Sequence, residues 1–133
     1  MLLLDVQGGA CFYCMRRLQG DAAVDHFIPW ARYPSDLGHN FVLAHPACNG
    51  AKSDHLAAEQ HLEAWLERNE HHRVTLVQRF DQAGVVHDLP STLQIAAWAY
   101  SQTARAGGQV WIGARTLEHL SSRWTVLLPR FEA

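Results

Sequence analysis

Lysine is almost missing from this 133-residue chain, where Lys52 is the only one and the other ten of the 11 Lys and Arg residues are arginine. Arginine forks suit phosphate and surface ion pairs alike, so the bias alone selects no partner. An excess of positive charge is also missing, since the formal net charge is -2. A free-standing nucleic-acid binder is more often basic, which argues against tight DNA binding by this chain unaided. Long apolar runs are absent too. Leu2 to Leu4 is too short for a signal peptide and lacks a basic flank, and no stretch approaches a membrane span. The expectation is a cytoplasmic protein without membrane attachment. Cysteine is scarce, with three residues at 11, 14 and 48 that cannot all pair with one another. That favours a metal site in a reducing compartment over a disulfide framework.

What is present suits a globular fold. Apolar residues make up 48% and charged residues 18%, so the chain has the means to bury a core. Neither a repeat nor a low-complexity linker divides it, and residues 1–133 are expected to form one domain. Met1 to Val6 reads as the end of an element, stopped by Gly8-Gly9, which raises the expectation of a missing N-terminal segment or partner subunit. Ala22 to Ile28 and Phe41 to Leu43 read as short strands, with a Pro- and Gly-containing loop at 33–38. A helix is expected from Pro46, and a second, capped by Ser53, to about Glu70. His71 to Ala83 carries both alternating and helical spacing and is read as helix. Ser91 to Ala106 is a clearer helix with Ser91 as its cap and Gly107-Gly108 as its stop. Gln109 to Ile112 suits a short strand or an extended arm, and Thr116 to Trp124 a helix before the tail. The fold class expected is α+β, mostly helical.

Two pairs share a spacing. Cys11-x-x-Cys14 and His45-x-x-Cys48 are each spaced so that a knuckle turns both side chains onto one ion. Together they make a Cys₃His set, which closes a tetrahedral structural zinc site with no open position. The competing reading is buried free cysteines beside an unrelated histidine.

The order of motifs carries more. Cys11-Phe-Tyr-Cys14, Val24-Asp25-His26-Phe-Ile-Pro29, His39-Asn40-Phe-Val-Leu43, His45-Pro-Ala-Cys48-Asn49 and Lys52-Ser53-Asp54 follow one another at compatible spacings. In this the sequence resembles the HNH endonucleases over about residues 8–57. The resemblance implies a ββα-metal core with zinc knuckles; residues 58–133, which it does not cover, are expected to form a helical extension packed on that core. It implies that His26 is the general base, that Asp25 and Asn49 hold a catalytic divalent cation such as Mg²⁺ or Mn²⁺, and that Asn40 orients the His26 ring. DNA is the implied partner. Asn49 stands where many members have histidine, as it does in the HNH domains of CRISPR effector nucleases. His45 replaces the cysteine of most zinc-bearing members.

The chemistry agrees with these residue types. Histidine titrates near neutrality and can take a proton from water. A carboxylate and an amide oxygen suit a hard cation and leave positions open for phosphate and water. Adjacent residues on a regular strand face opposite ways, so a bulge or strong twist is expected at Asp25-His26. Lys52, Arg16 and Arg17 are candidate phosphate contacts. His39, His55 and His61 are read as surface or supporting residues, and the tryptophans at 65 and 98 as core. The alternative function is a non-catalytic zinc module that binds nucleic acid or protein.

Overall fold

The computed structural model describes residues 1–34 and 36–128; Ser35 and residues 129–133, part of the expected tail, lie outside the described residues. A short helix α1 (Leu2–Val6) precedes the Cys11–Cys14 knuckle. Strands β1 (Ala23–His26) and β2 (Phe41–Ala44) pair antiparallel and lead into α2 (Pro46–Lys52). Then come α3 (Glu59–His71), α4 (Arg73–Ala83) and α5 (Leu89–Arg105). A second hairpin of β3 (Gln109–Gly113) and β4 (Thr116–His119) and a final turn α6 (Trp124–Leu127) complete the described chain. The mixture of helices with two small antiparallel sheets is the α+β class expected.

Three boundaries differ from the sequence reading, each for a tertiary reason. Ser53 does not open a helix. It ends α2 at a positive φ of 50°, and Leu56–Ala58 then runs extended beside β3. Trp111 N–H donates to Leu56 O at 2.8 Å and Ala58 N–H to Trp111 O at 2.8 Å, so α3 waits until Glu59. The cap of α5 is Asp88, whose carboxylate accepts the Ser91 N–H at 3.0 Å; Ser91 lies inside the first turn. Thr116–His119 is a strand, not a helix, because it zips back onto β3 with Gln109 opposite His119 and Trp111 opposite Leu117. For α4 the helical reading holds, and Gly84 ends it in the left-handed conformation at φ 69°.

One apolar cluster joins the first hairpin to the later helices. Phe27, Ile28, Val42 and Ala44 meet Leu62 and Trp65 of α3, Ala96 and Tyr100 of α5, and Trp111 of β3. The Phe27 ring stacks on Trp65 with centroids 4.7 Å apart. Trp65 and Trp111 are fully or nearly fully buried, whereas Trp98 is only half-buried and meets Tyr33 edge-on.

Polar groups from α3 fix the turn before β2. Trp65 Nε1–H donates to His39 O at 2.8 Å. The buried Arg68 guanidinium donates to His39 O at 2.8 Å and to Phe41 O at 2.6 Å. Burial pulls the Arg68 pKa down to about 10, and its grip on these carbonyls replaces the water it lost. Gly38 admits this packing because a Cβ there would stand 2.9 Å from the Phe80 ring.

His39 is not a surface residue. Its ring is fully buried against Phe80 and His87, and neither ring nitrogen has a hydrogen-bond partner among the described residues. Burial, with help from Arg68 and His87, pushes its pKa down from 6.5 to about 4. A histidine held neutral in the fold binds fewer protons than it does in the unfolded chain between those two values. Its contribution to stability is therefore complete above the unfolded pKa and is lost as pH falls towards 4. The expected size is about 3 kcal/mol between pH 7 and pH 4. Unfolding free energies of wild type and His39→Phe, measured across that range, should diverge in slope by about that amount. Parallel curves would refute the assignment.

Candidate metal and nuclease site

The knuckle begins at Cys11, whose N–H donates to Arg16 O at 2.9 Å while Met15 N–H returns to Cys11 O at 3.0 Å. Met15 takes a positive φ of 63°, which closes the turn and brings Cys14 round to the same side. The second pair sits where β2 passes into α2, with His45 capping the helix and Pro46 at its first position. The side-chain ligand atoms of Cys11, Cys14, His45 and Cys48 all lie within 4.8 Å of one another. All three cysteines are free thiols.

His45 is oriented for this role. Its Nε2 lies 3.1 Å from Arg17 O, which fixes that nitrogen as the donor and leaves the Nδ1 lone pair facing the cysteines. Nδ1 is 3.3 Å from Cys14 Sγ. The thiols have unequal surroundings. Burial pushes Cys11 up, but N–H groups of Cys14, His45 and Tyr13 outweigh it and hold it at about 7. Cys48 is driven up to about 12 by burial and by the neighbouring Cys11 and Cys14 thiols. Three sulfurs and an imidazole nitrogen converge here, and a soft divalent ion is what this donor set fits.

The second set of residues divides across β1. The β1–β2 register runs unbroken through Asp25 opposite Val42 and His26 opposite Phe41, so the bulge expected at Asp25-His26 does not occur. The two side chains therefore alternate as in any strand. Asp25 points inward and is 8% exposed, whereas His26 is half-buried.

Asp25 stands in a polar pocket of its own. The Tyr13 hydroxyl donates to Asp25 Oδ2, and Lys52 Nζ stands 3.3 Å from the same oxygen. Burial and the Asp25 charge raise the Tyr13 pKa well above its ordinary value, so the phenol remains a donor. Lys52 Nζ also donates to His26 O at 3.3 Å. Burial pulls the Lys52 pKa down while Asp25 pulls it back. Lys52 is fully buried and cannot reach a phosphate from this position, which corrects its reading as a nucleic-acid contact. The sequence concealed this because a lone lysine in the last turn of a helix normally ends in solvent.

Asn40 is also placed differently from its expected bond to the His26 ring. Its amide pairs with the backbone of Ile28, Oδ1 accepting the Ile28 N–H at 2.8 Å and Nδ2–H donating to Ile28 O at 3.0 Å. Phe27 N–H adds a bond to Asn40 O at 2.8 Å. Asn40 thus extends the β1–β2 pairing past His26 and fixes that residue through the chain rather than through its ring. The His26 ring instead meets Asp36, with Nε2 2.8 Å from Oδ1, and stands edge-on to Phe41 and Trp30.

Asn49 follows Cys48 in α2 and is half-buried. It lies three residues before Lys52, on the same helical face that reaches Asp25. Arg16 and Arg17 are exposed and line a groove of about 570 Å³ with Cys14, His45 and Cys48. His55 lies 3.3 Å from Lys52 O through Nδ1. His61, read as a surface or supporting residue, is buried, stacks on Trp111 and bonds to Ile112 O at 2.7 Å.

Residues 11–55 match the family described as HNH endonuclease, a segment covering the knuckle, both strands and α2 but well under half of the chain. Neither the curated proteins nor the solved structures give a match. The matched segment is similar to HNH endonucleases and contains the Cys₃His cluster as a possible metal site.

Lys52 offers a direct test of the inner pocket. Lys52→Met leaves a buried carboxylate without its countercharge and should cost about 3–5 kcal/mol of stability. Adding Asp25→Asn to that variant should recover much of the loss, because neither charge then remains. Equilibrium unfolding of both single variants and the double variant measures the coupling. Purely additive losses would show that the pair does not interact.

Proposed function

We propose that this chain is a metal-dependent HNH endonuclease that hydrolyses DNA phosphodiester bonds. The observation that carries the reading is His26. It stands half-exposed at the end of β1, with its ring oriented on three sides, inside a segment that matches the HNH family. A Cys₃His clip needs no such histidine.

In this reading zinc fills the Cys₃His cluster as a structural ion, which the soft, partly buried donor set supports. Asp25 and Asn49 are the residues that would hold the catalytic cation. The donor chemistry suits a hard ion such as Mg²⁺ or Mn²⁺, since a carboxylate and an amide offer only oxygen. Asp25 Oδ2 is already committed to Tyr13 and Lys52, which leaves Oδ1 as the oxygen for a metal. Held there, a divalent cation would supply charge neutralisation at the phosphoryl and leaving oxygens.

The chain's own residues do the rest. His26 takes a proton from water as the water oxygen bonds to phosphorus. The bond from phosphorus to the leaving sugar oxygen breaks, and that oxygen gains a proton from solvent. Asn40 holds the backbone behind His26, and Phe41 and Trp30 limit the tilt of its ring. Arg16 and Arg17, exposed beside the knuckle, are suited to backbone phosphates of DNA. With a net charge of -2, the grip on a long duplex would be weak and strongly salt-dependent.

The commitment of Asp25 to Lys52 favours a second reading, in which the chain is a zinc module that binds nucleic acid or protein without cutting it. Cleavage separates the two. Zinc-loaded protein should nick or linearise supercoiled plasmid with added Mg²⁺ or Mn²⁺, and His26→Ala should lose at least about 100-fold in rate. Retained cutting by that variant would remove His26 from its role, and an inert wild type across both metals would leave the binding module as the answer.

A further inference from the structure

The loop between the two strands brings a carboxylate to His26 from ten residues away. Asp36 Oδ1 lies 2.8 Å from His26 Nε2, and the Asp36 side chain is 65% exposed. An exposed ion pair of this kind adds little to stability. Its consequence for the imidazole is larger. A carboxylate accepts a hydrogen bond and cannot donate one, so the nitrogen facing it must carry the proton. The other nitrogen then holds the lone pair.

The remaining surroundings of the ring supply no competing orientation. Phe41 and Trp30 stand edge-on at centroid distances of 5.2 and 5.8 Å and offer no acceptor. The Asn40 amide, expected to orient this ring, has both polar atoms on Ile28. The Lys52 ammonium reaches the carbonyl of His26 rather than its ring. Asp36 is thus the one side chain among the described residues that hydrogen-bonds to the imidazole.

We infer that Asp36 is a positioning residue for His26, holding the Nε2–H tautomer and leaving Nδ1 as the atom that accepts the proton from water. The inference rests on the nuclease reading above and adds a residue to it. When Nδ1 takes the proton, Nε2 keeps its own, and the imidazolium formed lies against a carboxylate of opposite charge. The same carboxylate therefore selects the reactive nitrogen before the step and stabilises the cation after it. The exposed Trp30, edge-on to the same ring at 5.8 Å, borders the imidazole on another side.

The test pairs a spectroscopic readout with kinetics. In ¹⁵N-histidine-labelled, zinc-loaded wild type, long-range ¹H–¹⁵N correlation should show neutral His26 as the Nε2–H tautomer. Asp36→Ala should give a mixture of tautomers, with the fold retained. In plasmid nicking, the same variant should lose about 10- to 100-fold in kcat with KM little changed, and Asp36→Glu should recover most of it. An unchanged tautomer or an unchanged kcat in Asp36→Ala overturns the inference. A wild type that is inert but tautomerically locked overturns the nuclease reading and leaves the hold of Asp36 on His26 standing.

Discussion

Three thiols and an imidazole brought within 4.8 Å of one another impose the constraint on which the rest of this structure depends. Such a cluster desolvates an imidazole and three sulfurs, and its thiols disfavour one another's ionisation. A soft divalent ion resolves both problems at once. By joining residues 11–14 to residues 45–48, the cluster closes the stretch that holds both strands of the first hairpin. Binding energy at such a site is folding energy for the loop that it closes. It also fixes where α2 begins, and so directs Lys52 back onto Asp25.

Around that clip the polar groups fall on two sides of β1. On the inner side, Tyr13, Asp25 and Lys52 form a closed set in which a buried charge meets its opposite and a neutral donor. On the outer side, His26 meets solvent, two aromatic edges and Asp36. The later helices serve this division from behind. Trp65 and Arg68 hold the carbonyls of His39 and Phe41, and Asn40 then ties the turn to Ile28. A chemistry that needs a cation by Asp25 and a base at His26 would require these two groups, which face opposite sides of a regular strand, to converge on one phosphate.

The residues most legible in the sequence were those whose role depends on local spacing. The two x-x pairs, the short strands around Asp25-His26 and Phe41–Leu43, and the helix at Pro46 all follow from neighbours a few positions apart. What the sequence concealed depends on distant partners. Nothing near Lys52 indicates that its ammonium is buried; that follows from Tyr13 and Asp25 lying across α2. Thr116–His119 looks helical until β3 offers it an edge. Ser53 has a capping side chain, but the segment after it is drawn straight by Trp111. Asp36 lay in a stretch read only as a loop, and Arg68 among ordinary surface-type residues of a helix.

The central question is whether the Cys₃His cluster is a soft-metal clip distinct from the oxygen-donor pair proposed at Asp25 and Asn49. X-ray absorption at the zinc edge of purified, zinc-loaded protein measures this directly. It should show a four-coordinate ion with three sulfurs at about 2.3 Å and one nitrogen at about 2.0–2.1 Å. The spectrum should not change when Asn49 is replaced by alanine, although Asn49 adjoins Cys48 in sequence. A shell rich in oxygen, or one that alters with Asn49, would contradict the separation of the two sites.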